Sequence, residues 1–244
     1  VKFKMLQIYA VKISEEFNLQ TLIPLSYILP AERQEKIQRF IHKNDAIRSL
    51  IGDILLRSLI FKYLGLLPHE IQITTNRYGK PYLQHNKSFH FNISHSGDWI
   101  VCAVDEKPVG IDIEKIEKLN VAIAAEFFAP EETSNLQKKR EEEKLLLFYR
   151  YWSLKESYSK ALGLGLSLPF HRFSIQFIKN EILVKSDVKH PLCRFKEYHL
   201  ADKYVMSLCT FQPYFPEEVQ ILTLKQLYNF FYVCQSTNLN KKIN

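Results

Sequence analysis

Apolar residues recur at Ile37, Phe40, Ile41, Ile47, Leu50, Ile51, Ile54, Leu55 and Leu59, the spacing of one buried helical face, and no other stretch is as regular. This pattern predicts a long helix that begins after Pro30 and stops at Gly65, a residue suited to a left-handed cap. Leu6 to Ile13 reads as a strand ahead of it. Shorter strands are expected beyond it, at Ile71 to Thr75, Phe89 to Ser94 and Trp99 to Val104, with turns at Tyr78-Gly79-Lys80-Pro81 and Ser96-Gly97-Asp98.

The second half repeats this order in outline. Helices are expected around Val121 to Phe128, Pro130 to Gln137 and Glu142 to Leu162, the last stopped by Gly163 and Gly165. Strands follow at Phe173 to Phe177, Ile182 to Lys185, Cys193 to Tyr198 and Tyr204 to Thr210. Long helices mixed irregularly with strands argue an α+β fold rather than a doubly wound sheet. The break falls near Lys107-Pro108, which gives a first half over 1–107 and a second over 108–227. After Pro216 a short strand or helix runs to about Tyr232, and the polar tail within 228–244 is expected to be partly disordered.

With 244 residues, 46% of them hydrophobic, the chain can bury a sizeable core. No apolar run approaches the roughly 18 residues that a membrane helix needs. The opening residues Val1 to Ile13, interrupted by Lys2, Lys4 and Lys12, do not read as a signal peptide, so the expected location is the cytoplasm. Cys102, Cys193, Cys209 and Cys234 are widely spaced without a C-x-x-C and read as reduced, mostly buried thiols. A net charge of +7 and a pI near 9.1 point to an anionic partner or substrate.

The candidate chemistry lies in three carboxylates. Asp112 and Glu114 are two residues apart in the strand-like Gly110-Ile111-Asp112-Ile113-Glu114, so both side chains leave one face while Val109, Ile111 and Ile113 supply an apolar opposite face. Glu156 continues the helical stripe of Tyr149 and Trp152, which places an acid on an aromatic, inward face. One divalent cation would satisfy all three, and all-oxygen ligation selects a hard ion, Mg²⁺. Lys155 and Lys160 flank Glu156 and would neutralise charge on a phosphate beside it.

Phe91-Asn92-Ile93-Ser94-His95-Ser96-Gly97 ends an apolar strand in a polar turn able to hold a phosphate. Ser94 and His95 are adjacent in an extended chain and point to opposite faces, so they form no nucleophile–base pair. Neither a Walker loop nor a G-x-G-x-x-G occurs, which leaves basic side chains and the metal to hold phosphates. Arg33, Lys36 and Arg48 lie on the polar side of the first helical segment.

In this order, Arg39-Phe40, His42-Lys43, Asp45-Ala46, Gly79-Lys80-Pro81, Phe91 to Gly97, Gly110 to Glu114, Trp152-Ser153-Leu154-Lys155-Glu156, Lys160 and Gly165-Leu166 resemble the Sfp-type 4′-phosphopantetheinyl transferases. The resemblance covers roughly residues 5–227. It implies a pseudo-dimer of two similar α/β halves, with coenzyme A in the cleft between them, acting as a monomer. Asp112, Glu114 and Glu156 would hold Mg²⁺ with the pyrophosphate of coenzyme A. Lys80, Pro81, Ser94 and His95 would contact the nucleotide and its phosphates, with Arg33, Lys36 and Ser49 near the 3′-phosphate and adenine. Lys155 and Lys160 would face the pyrophosphate, and Glu132 matches an acidic family position. The implied reaction moves phosphopantetheine from coenzyme A to a serine of an apo peptidyl or acyl carrier protein, as in non-ribosomal peptide or polyketide synthesis. Glu156 or a metal-bound water would take the serine proton, and His95 belongs to the catalytic set.

Val121 to Phe128 is a candidate docking surface for the carrier. Two other functions are weighed against the transferase. A metal-dependent phosphodiesterase would cleave nucleic acid, or release free phosphopantetheine, without a carrier. A basic nucleic-acid module is disfavoured because the aromatic residues lie within apolar periodic runs. Neither nucleic acid nor a membrane is an expected partner.

Overall fold

The computed structural model describes residues 6–14, 18–186, 192–230 and 232–233. The first half runs β1 (Gln7–Lys12), α1 (Leu19–Ser26), α2 (Ala31–Gln38), α3 (Lys43–Leu64), β2 (Ile73–Thr75), β3 (Pro81–Leu83), β4 (His90–Ser96) and β5 (Trp99–Asp105). The second runs β6 (Val109–Lys115), α4 (Ala124–Phe127), α5 (Pro130–Gln137), α6 (Glu141–Leu162), β7 (Phe173–Ile178), β8 (Glu181–Ser186), β9 (Arg194–Tyr198) and β10 (Tyr204–Thr210). A last strand, β11 (Gln220–Leu222), precedes a helix over residues 224–230. Among the described residues, no helix is long and apolar enough to cross a membrane.

Period-two alternation explains how these elements stack. The first sheet has the order β11-β1-β5-β4 and the second β6-β10-β9. Tyr9, Val11, Ile100, Cys102 and Val104 face α3, whereas Ile8, Ala10, Val101 and Ala103 face the second sheet. There they meet Val109, Ile111, Ile113, Met206 and Leu208. On its far side the second half packs Leu154, Tyr158 and Ala161 of α6 with Phe173, Phe195 and Cys209. The layers are therefore α3, first sheet, second sheet and α6, and the buried interface between the sheets joins the halves.

The long helix expected from Ile37 to Leu59 is instead two helices, α2 and α3. The break falls at Arg39 to His42, where Phe40 and Ile41 are exposed; the apolar stripe steps six residues from Ile41 to Ile47 and changes face there, so one straight helix could not bury both parts. The chain restarts with Asp45 in the first turn of α3, where its charge complements the helix dipole. Gly65 closes α3 in the left-handed conformation at φ 70°.

The segment after Pro216, placed with the second half from sequence, belongs structurally to the first. β11 pairs in parallel with β1, and Leu227 and Phe230 are buried in the first-half core. Phe230 lies in the segment read as tail, so that segment begins with an ordered, core-packed turn; residues 235–244 and Cys234 lie outside the described residues.

β6 and α6 touch directly at Gly110. A Cβ there would lie 1.9 Å from the Ser157 carbonyl oxygen and 2.4 Å from the Ala161 nitrogen, both backbone atoms that cannot turn aside. Gly110→Ala is expected to destabilise the protein by at least ~3 kcal/mol, because helix and strand would have to part. Urea unfolding followed by circular dichroism measures this, and a variant as stable as the parent would disprove the contact.

Candidate active site

β4 and β6 run side by side where the halves meet, and side chains of β4 bridge them. Asn92 Oδ1 accepts the Ile111 N–H at 2.8 Å, and Ser96 Oγ accepts the Lys115 N–H at 3.0 Å. Ser94 Oγ donates to Asp112 Oδ1 at 2.9 Å and Ser96 Oγ to Glu114 Oε2 at 3.1 Å. Asn92 and Ser96 were not among the expected site residues. Their signal was readable, since polar side chains at every second position of an otherwise apolar strand mark one face of it.

α6 lies across this seam and brings its own charges. Lys160 Nζ contacts Asp112 Oδ1 at 2.5 Å and Ser94 Oγ at 3.1 Å, and stands 4.0 Å from Glu156 Oε2. Lys160 thus stands among Asp112, Ser94 and Glu156, and Glu114 joins the same seam through Ser96. Burial raises the Glu114 carboxyl to about 7, with the Asp112 charge adding to it, while Ser96 and the Trp152 indole pull the other way. Burial also raises Glu156, opposed by Lys160. Burial works to lower Lys160, but Asp112, Glu156 and Glu114 outweigh it and hold the ammonium above its ordinary value.

The donor chemistry fits a hard cation. Asp112 Oδ2 is buried and is one of the few buried side-chain polar atoms among the described residues without a hydrogen-bond partner. It leaves an unanswered lone pair beside two carboxyls that burial makes reluctant to ionise. As the side chains stand, no group of three or more His, Cys, Asp or Glu residues is close enough to hold a metal among the described residues. Lys160 is the cation beside Asp112. Mg²⁺ held by Asp112, Glu114 and Glu156 would answer the remaining negative charge.

A carboxyl raised on folding binds more protons in the native than in the unfolded state. Ionisation of Glu114 therefore opposes folding as pH rises from 4.5 to about 7. Without divalent cations, stability should fall across that window, and Glu114→Gln should remove a pH-dependent loss on the order of 2 kcal/mol. Denaturant titrations at pH 5 and 7.5 measure it; an unchanged pH slope in the variant would contradict the assignment.

Lys155 does not face the cleft, which corrects the expectation that it meets a pyrophosphate. A helix turns by about 100° per residue, so the neighbour of Glu156 points elsewhere. Lys155 is fully buried, 2.8 Å from Glu132 Oε2, and donates to the Phe170 and Phe173 carbonyls at 2.8 and 2.6 Å. Its ammonium lies 4.1 Å from the centre of the Phe173 ring. Glu132 accepts the Ile175 and Ala129 N–H groups, the second as the capping box of α5. Burial pushes Lys155 down and Glu132 up, and the charge of each works against the shift of the other. Glu132→Gln should destabilise the fold by about 3–5 kcal/mol by stranding the buried ammonium. Thermal and urea unfolding report the loss, and a change under about 1 kcal/mol would show the pair to be dispensable.

Lys80 carries a second correction. Its ammonium is engaged by backbone and donates to the Lys160, Ala161 and Val109 carbonyls at 2.5, 3.2 and 3.1 Å. Pro81 begins β3 directly after it. Arg33 and Ser49 do come together: Arg33 donates to Ser49 Oγ at 2.8 Å and to Asp53 Oδ2 at 2.5 Å, with Lys36 exposed on the same short helix. His95 is exposed at the end of β4, and packing around it followed by the Arg48 charge lowers its pKa, favouring neutral imidazole. Arg48, read only as helix decoration, donates to the Gly97 carbonyl at 3.0 Å and to Asp45 at 2.5 Å, tying α3 to the β4–β5 turn.

Residues 108–209 match the model of the 4′-phosphopantetheinyl transferase superfamily, and residues 18–107 match that of the 4′-phosphopantetheinyl transferase N-terminal region. A 4′-phosphopantetheinyl transferase of Bacillus subtilis is 44% identical over 199 residues, covering 81% of this chain and 88% of that protein. The Sfp transferase of Bacillus subtilis strain 168 is 41% identical, covering 83% and 91%. The gsp transferase of Aneurinibacillus migulanus is 34% identical, covering 93% and 95%. With these relatives matched over nearly their whole length, the chain belongs to the 4′-phosphopantetheinyl transferase family. It is an enzyme of the transferase class.

Proposed function

We propose that this enzyme moves the 4′-phosphopantetheine arm of coenzyme A onto a serine hydroxyl of an apo peptidyl or acyl carrier protein, with Mg²⁺ at the seam between the halves. The observation that carries the proposal is the buried, partnerless Asp112 Oδ2, on the carboxylate that pairs with Lys160, whose ammonium also stands 4.0 Å from Glu156. When bound by Asp112, Glu114 and Glu156, Mg²⁺ would neutralise pyrophosphate charge. The serine oxygen bonds to the β-phosphorus, the bond from that phosphorus to the bridging oxygen breaks, and 3′,5′-ADP leaves. Lys160 stabilises the negative charge that gathers on the pyrophosphate oxygens. Glu156, made more basic by burial, accepts the serine proton. Arg33, Lys36 and Ser49 supply positive charge and hydrogen bonds for the 3′-phosphate, and neutral His95 offers a ring nitrogen to the nucleotide phosphates.

The carrier would dock beside α4, where Leu119, Ile123 and Phe127 are exposed apolar residues next to Lys118. This mixture suits the acidic helix that surrounds a carrier serine, and the +7 charge would steer it at low salt. Carriers of non-ribosomal peptide or polyketide synthesis are the proposed partners, served by a monomer in the cytoplasm.

Intact-mass spectrometry of an apo peptidyl carrier incubated with enzyme, coenzyme A and Mg²⁺ tests this. One phosphopantetheine should be added, and EDTA should abolish the addition. Asp112→Asn and Glu156→Gln should each lower kcat/KM by about 100-fold or more. Free phosphopantetheine released without a carrier would identify a hydrolase instead, and no product with peptidyl or acyl carriers would overturn the proposal.

A further inference from the structure

We infer that Lys80 is a positioning residue for transfer, locking the strand that carries Asp112 and Glu114 against the helix that carries Glu156 and Lys160. The inference rests on the proposed transferase activity but concerns a residue whose ammonium is spent on backbone carbonyls. It starts in the turn between β2 and β3. Asn76 Oδ1 accepts the Tyr78 and Lys80 N–H groups, each at 2.9 Å, and the Asn76 N–H reaches the Lys80 carbonyl at 2.9 Å. Gly79, at φ 86°, permits this tight path. The base of the Lys80 side chain is therefore held before it crosses to the other half.

What it meets there is the end of α6. The last carbonyls of a helix have no partners within it and carry the negative end of its dipole. Lys80 Nζ answers two of them, on Lys160 and Ala161, and Asn76 Nδ2 donates to the carbonyl of Gly163, the residue that caps the helix, at 2.8 Å. The remaining ammonium proton goes to the Val109 carbonyl of β6. An ammonium has three donors, and all three are used. Val109 precedes Gly110, where β6 and α6 come into backbone contact. One cation from the first half thus closes the place where the two carboxylate-bearing elements of the second half touch. Desolvation lowers its pKa to about 8, which leaves it mostly charged at neutral pH.

The consequence is geometric. A slip of α6 by one residue along its axis moves its side chains by about 1.5 Å. The contact of Lys160 with Asp112 at 2.5 Å and with Ser94 at 3.1 Å would not survive such a slip. Lys160 itself supplies one of the carbonyls that Lys80 holds, so main-chain fixing and side-chain aim meet in one residue.

The test compares Lys80→Met, Asn76→Ala and the parent in the full chain. Coenzyme A binding is measured by calorimetry, kcat by carrier modification, and amide exchange at Gly163 and Leu164 by mass spectrometry or NMR. Those two amides bond to the Ser159 carbonyl and report the end of α6 without reference to activity. Both variants should lose kcat by about 10-fold or more, keep the Kd for coenzyme A within about 3-fold, and exchange those amides about 10-fold faster. Weakened binding with kcat retained would make Lys80 a nucleotide contact and overturn the inference. Unchanged exchange, or parallel loss of binding and kcat, would overturn it equally. Should Lys80→Met fail to fold, Asn76→Ala, which leaves the ammonium in place, carries the same three readings. An inactive parent would count against the transferase proposal alone, while the exchange data still decide whether the clamp exists.

Discussion

Two sheets that stack through apolar faces share no backbone ladder, and where β4 runs beside β6 the polar side of the seam is held by charge. Asp112 on β6 is nearly buried, and it is tolerated because Lys160 from α6 and Ser94 from β4 both reach its Oδ1. That single carboxylate oxygen joins three elements from both halves. An isolated buried carboxylate would take up a proton or draw in water, so the ion pair is a condition for the sheets to lie together dry. Much of the site follows from it: Glu114 is raised partly by the Asp112 charge, and Lys160 is kept charged by it.

The same logic recurs away from the cleft with a different result. Lys155 and Glu132 are both fully buried, yet every proton and lone pair that matters is engaged by backbone groups of α5, β7 and the turn before it. Such a pair gives little net stability compared with an apolar replacement, but it cannot be half-removed. It sets the rotation of α6 about its own axis, while Lys80 and Gly110 set its height on β6. A helix held in both respects presents Glu156 and Lys160 to the cleft with little freedom, which suits phosphoryl transfer, where positioning and electrostatics do most of the work.

The strands and the second long helix were legible because their periodicities are simple. Tyr204 to Thr210 reads as a strand and is one, and the odd and even positions of β6 divide between sheet interface and site as the alternation requires. The first long helix misled because the six-residue step from Ile41 to Ile47 looks like tolerable noise in a nine-residue stripe, whereas the chain leaves the helix at Arg39 to His42 and exposes Phe40 and Ile41. The return of β11 to the first sheet was not legible at all. A strand three residues long carries almost no periodic signal, and its partner, β1, lies more than two hundred residues earlier in the chain.

What the sequence determined by itself was most of the elements, the family, and the shared face of Asp112 and Glu114 on β6, since strand alternation is local geometry and survives any packing. Which lysine serves the cleft was decided only by the tertiary structure. Lys80, Lys155 and Lys160 are equivalent as letters, and all three lie in motifs that invite a phosphate-binding role. Their ammonium groups end on helix carbonyls, the buried Glu132 and the buried Asp112 respectively, because a long flexible side chain takes its direction from the partners that packing brings within reach.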